Sequence, residues 1–225
     1  MKMILVTLCI VVMILATLCL VVSYAFKACA ADGGVVVEPA IGPVGDNHTL
    51  LGLGVENAKR TDFFQFFFWR EAGREKDAQG RAVVLFAQPT DGHFAKYVKL
   101  KTTLDAHDKI AKVELRVARS FVNNTDTAIF ARDIIKSVIE QSTPKADQAA
   151  VAPLTAELLP PAPRGGVQIM PKKLPEPDNP SSAYQVIVGK RETAEITLSQ
   201  CAIHLTNTAN GQPESALVVT IGVKK

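Results

Sequence analysis

The chain has none of the short motifs that mark familiar catalytic sites. No Gly-x-Ser-x-Gly elbow, His-Glu-x-x-His, Cys-x-x-Cys or phosphate-cradling glycine loop occurs in its 225 residues. Gly52-Leu53-Gly54 follows no clear strand and lacks a third glycine, so it is not a dinucleotide loop. Cysteine is scarce. Cys9 and Cys19 fall inside an apolar run, where they act as small hydrophobic residues, and only Cys29 and Cys201 remain. That excludes a disulfide framework, and an unpaired, buried Cys201 is expected. An excess of charge of one sign is also missing. The net charge is +3, but Lys2 and Lys27 belong to the membrane region and the rest of the chain is nearly balanced. No clustered basic face is visible in the charge order, so nucleic acid is not an expected partner.

The chain does hold a run from Ile4 to Val22 without one charged residue. As a helix it would be roughly 28 Å long, close to the ~30 Å hydrocarbon thickness of a bilayer. A signal-peptide core is usually about 7–15 residues, so the length favours an uncleaved signal anchor. Ala28-Cys29-Ala30 has the small-x-small pattern of a cleavage site, which keeps a cleaved signal peptide as the alternative. A lipid-modified Cys29 is a third reading, weakened by Phe26 and Lys27 just before it. Lys2 and the free amine precede the run and only Lys27 closely follows it, which orients the N-terminus to the cytoplasm and the body outside.

The remainder reads as α+β, a mostly antiparallel sheet carrying one main amphipathic helix. Residues 31–60 are rich in Gly and Pro and are expected to form a flexible lead-in. Residues 61–225 would then be a single domain. Its densest aromatic cluster, Phe63 to Trp69, reads as a central strand apolar on both faces. The sharper alternative there is a membrane-surface or ligand-binding patch. The charged stretch 71–81 reads as a solvated turn, and 83–87 as the partner strand of a hairpin. Residues 97–102 and 113–117 alternate strictly, as antiparallel strands with one dry and one wet face do. From Thr127 to Ser142 the period becomes helical, with Asn124, Thr125 and Asp126 available to cap.

Nine of the 13 prolines lie between Pro144 and Pro180. The segment 143–182 is therefore expected to wrap around the core, mostly extended, with a short helical turn at 146–152 or 154–159. Strands are expected at 184–188, 196–206 and 216–223, with a turn at 210–213. A change of apolar parity near Ser199-Gln200 predicts a β-bulge.

Chemistry is sparse. Asp105, His107 and Asp108 are the candidate metal ligands, since His and carboxylate suit zinc or a similar ion, against the plainer reading of a solvated turn. Asp91 and His93 lie in the preceding loop, and the intervening strand would hold the two loops about 35 Å apart. His204 should point away from Ile203 and Leu205, a half-exposed imidazole. No cofactor is expected. Asn47 and Asn123 open Asn-x-Thr acceptor patterns. The expected function is that of a membrane-anchored protein of the cell envelope, acting as a protein-interaction or accessory subunit. A ligand-binding or sensory domain is the alternative. An enzyme using Asp105, His107, Asp108 and His204 is the third reading, because catalytic groups can converge only in space.

Overall fold

The strict alternation of the middle segments becomes two long paired strands, and the rest of the sheet grows from them. The computed structural model describes residues 49–88, 94–159, 176–208 and 215–224. Four strands, β1 (Arg70–Lys76), β2 (Ala82–Ala87), β3 (Val98–Leu104) and β4 (Ile110–Ala118), form an antiparallel meander. A helical layer follows: α3 (Arg119–Asn123), α4 (Ala128–Ser142), a 3₁₀ turn (Lys145–Asp147), α5 (Gln148–Leu158) and α6 (Ser182–Ile187). The chain then returns as β5 (Thr193–Thr197), β6 (Cys201–Asn207) and β7 (Ala216–Val223). β7 pairs with β4, giving one seven-stranded antiparallel sheet in the order β1-β2-β3-β4-β7-β6-β5. The fold class is α+β. Two short helices, α1 (Val55–Ala58) and α2 (Asp62–Phe66), precede the sheet.

Register explains the core. Leu100, Leu115, Val219 and Leu205 stand side by side across four strands, and all four are buried. Lys99, Lys101 and His204 occupy the opposite parity and are exposed. The buried face receives Ile134, Ile135, Val138 and Ile139 of α4, whose 3.6-residue spacing makes a single apolar stripe. No side chain caps the start of α4. Thr127 is its N-cap, but the Thr127 hydroxyl donates to the Phe121 carbonyl, and Asn124 instead closes a turn by accepting from the Asp126 N–H.

Several sequence expectations are corrected. Residues 49–60 are not a lead-in: Leu50 and Ala58 are fully buried, and Gly54 bridges to Lys109. Residues 63–69 are not a strand, because α2 and its terminal turn occupy them. The expected turn at 71–81 is largely β1, so β1 is the partner of β2. Its charged, exposed side chains suit an edge strand that must not pair further. Residues 184–188 are helical, not extended. Ser181 caps α6 by accepting from the Tyr184 N–H at 3.1 Å, and Gly189 ends it at φ 82°. The helical turn in the proline-rich segment is the whole of α5, which accommodates exposed Pro153 while burying Val151, Leu154 and Leu158. The remaining prolines at 160–175 and the turn at 210–213 lie outside the described residues.

The expected bulge at Ser199-Gln200 is a chain reversal between β5 and β6, which is why the parity changes. Asp147, 52 residues away, holds it. Its carboxylate accepts from the Ser199 N–H (3.0 Å), the Ser199 hydroxyl (2.5 Å) and the Gln200 N–H (2.9 Å). The Ser199 hydroxyl above all, then the Gln200 N–H, holds the Asp147 carboxyl below its ordinary range. A depressed carboxyl stabilises the fold above its unfolded pKa, and the contribution is lost as pH falls through the folded value. Asp147→Asn is therefore expected to lower Tm at neutral pH, with the gap to the parent closing in acid. Thermal unfolding by circular dichroism across pH checks this.

Candidate functional site

The aromatic segment divides by helical geometry. Phe63 and Phe64 turn inward from α2 and are buried, Phe64 with its ring edge-on to Phe86 at 4.9 Å. Phe63 touches Phe64, Phe67 and Trp69 at centroid distances of 5.5, 5.4 and 6.1 Å. Phe66 and Phe68 turn outward and are 68% and 66% exposed. Large apolar side chains presented to solvent as a group are what a soluble surface avoids.

The turn after α2 exposes Phe68 at a cost. The Trp69 N–H bonds the Phe64 carbonyl and the Phe68 N–H bonds the Gln65 carbonyl, the paired bonds of a Schellman C-cap. The residue at its left-handed position is Phe68, φ 55°. A bulky side chain there is an outlier, disfavoured by about 1–2 kcal/mol. The same motif ends α6, where the Lys190 and Gly189 N–H groups bond the Gln185 and Val186 carbonyls, and there the left-handed residue is glycine. The Gln88 amide donates to the Phe67 carbonyl at 3.1 Å and holds the turn from β2.

Two open clefts flank the exposed rings. One of about 590 Å³ lies between α2 and α4, bounded by Phe63, Phe66, Phe67, Ser137, Glu140 and Gln141. The other, about 400 Å³, is bounded by Lys59, Phe64, Phe68, Trp69, Arg70 and Glu71. Glu71 pairs with Lys59 and with Arg74, each at 2.6 Å, and Arg74 first, then Lys59, pulls its carboxyl down to about 2. Arg60 and Arg70 are exposed and have no acidic partner in an ion pair among the described residues. The first described residues lie at this corner: the Leu50 N–H donates to the Gln141 carbonyl at 2.7 Å.

The sequence candidates are dispersed. Asp105, His107 and Asp108 share an exposed turn, and Asp105 Oδ1 accepts from the His107 and Lys109 N–H groups at 2.8 and 2.9 Å. Those bonds, the Lys109 one foremost, hold its carboxyl below the usual range. Asp105 is thus engaged in closing the turn, and among the described residues no three His, Cys, Asp or Glu side chains converge as a metal site. Asp91 and His93 lie outside the described residues. His204 sits on the exposed sheet face with Nδ1 3.6 Å from Glu195 Oε2, far from any cleft described above.

Cys201 is free and fully buried, and burial pushes its thiol up to about 11. It is expected to resist iodoacetamide in the native protein and to react in urea, as peptide mapping would show. Asn123 is exposed at the end of α3; Asn47 and the run from Ile4 to Val22 lie outside the described residues. Among the described residues no helix is long and apolar enough to cross a membrane. Comparison with protein-family models, curated proteins and solved structures finds no match to this chain.

Proposed function

We propose that this is a single-pass membrane protein of the cell envelope, anchored by residues 4–22 with its body outside the cytoplasm, serving as a protein-interaction or accessory subunit. The observation that carries the reading is the charge-free run itself, long enough to span a bilayer and followed by a folded α+β body. The body supports a binding role by holding its outward aromatic rings on a rigid frame. Alkaline extraction of membranes tests the anchor, with the chain expected in the pellet. Chemical crosslinking of the same membranes tests the role: a discrete complex with a second envelope protein is expected, and recovery of the uncrosslinked monomer alone would contradict it. Cleavage after Ala30 and release is the alternative localisation.

A ligand-binding role is the second reading, favoured by the cleft between α2 and α4. Its test is a small molecule that raises Tm in the parent and does so less in Gln141→Phe, whose ring would narrow the cleft.

A further inference from the structure

We infer that the corner formed by Phe66 and Phe68 is a bilayer-contact surface, on which the folded body rests against the outer leaflet of the membrane that anchors it. The inference rests on the anchoring proposed above. Three observations select lipid as the occupant. The first described residues of the body lie at this corner, where the Leu50 N–H meets the Gln141 carbonyl, and Gln141 lines the same cleft as Phe66.

The size of the patch also discriminates. Two rings about two-thirds exposed offer on the order of 200–300 Å², well below the ~800 Å² per partner of a stable protein interface. A second copy of the chain would gain too little here. A domain already tethered to the bilayer needs only a weak contact, because the tether supplies a high effective concentration.

Charge agrees in sign. Glu56, Lys59, Glu71 and Arg74 form an ion-paired network of no net charge, which leaves Arg60 and Arg70 flanking the aromatic segment against the carboxylate of Asp62. Apolar rings beside cationic groups match acyl chains beneath phosphate headgroups. The strained backbone at Phe68 fits the same role. Glycine would close that turn without strain, as Gly189 does in α6, and would present no ring.

The test uses the full chain reconstituted into vesicles of phosphatidylcholine with a minority of phosphatidylglycerol. A p-benzoylphenylalanine photocrosslinker is placed at position 68, or at position 130 as the comparison. Phe130 is also an exposed ring, 45% accessible, but it belongs to the opposite end of α4. Phospholipid adducts are expected at 68 and lost at 130. Adducts to a second copy at 68, equal lipid adducts at both positions, or no lipid adduct at 68 would each overturn the inference. Alkaline extraction of the same vesicles reports the anchor separately: a chain that leaves the vesicles overturns the anchored reading itself, whereas a retained chain without lipid adducts overturns only the bilayer contact. Phe68→Gly, which keeps the turn, is expected to fold normally while lipid adducts from a crosslinker at position 66 decline. Undiminished adducts in that variant would contradict a role for Phe68.

Discussion

Replacing Phe64 by Ala is expected to destabilise the domain by about 3–5 kcal/mol, whereas Phe66→Ala changes it by less than about 0.5 kcal/mol. The two residues are two apart. In a strand they would share a face and respond alike; on α2 they point in opposite directions. Phe64 is 1% exposed and packs edge-on against Phe86 of β2, so its removal leaves a cavity between helix and sheet. Phe66 contacts Phe67 at 5.0 Å but faces solvent, so its removal leaves none. Urea unfolding followed through Trp69, the lone and buried tryptophan, measures both. Equal losses would restore the strand reading and remove the exposed corner with it.

Arg119→Ala is expected to cost about 3 kcal/mol, an unusual loss for a single polar side chain. The Arg119 guanidinium lies between the end of β4 and α6, buried, with no carboxylate ion-paired to it among the described residues. Nη1 donates to the Ile187 carbonyl at 2.5 Å and Nη2 to the Val186 carbonyl at 2.6 Å. Both acceptors close the last turn of α6, where outward carbonyls concentrate negative charge. Burial lowers the Arg119 pKa to about 10, so the group stays charged at neutral pH and both bonds are charge-assisted. Alanine leaves the Ile187 carbonyl short of its partner. Lysine, a single-point donor, should recover about half of the loss because it cannot bridge both oxygens. Urea midpoints of the two variants check the order.

What the sequence made legible follows from periodicity. Val98, Leu100, Val113, Leu115 and Val117 alternate because one sheet face is dry, and Ile134, Ile135, Val138 and Ile139 repeat helically because one helix face is. Those elements appeared where expected. The failures share one cause: short apolar segments have no period long enough to separate helix from strand. Residues 184–188 carried a usable signal, Ser181 before them and Gly189 after, which are start and stop marks for a helix. Residues 62–66 carried no such stop, because Phe68 occupies the place where glycine belongs. The anchor of the hairpin between β5 and β6, Asp147, was invisible for a different reason. Its partners lie 52 and 53 residues away, and no local rule joins them.

The candidate site was half legible. The aromatic cluster stood out at once, and a membrane-surface patch was among its readings. Which rings point outward was decided only by the turn at Phe67-Phe68. The described His and Asp candidates do not converge, because the turn engages Asp105 with its own backbone and the sheet sends His204 to an open face.

The measurement that bears most directly on the account is the intact mass of the chain recovered from alkaline-washed membranes. Retention of residues 1–30 in that membrane-bound chain is the predicted result. A chain beginning at Ala31 and found in the soluble fraction would contradict it.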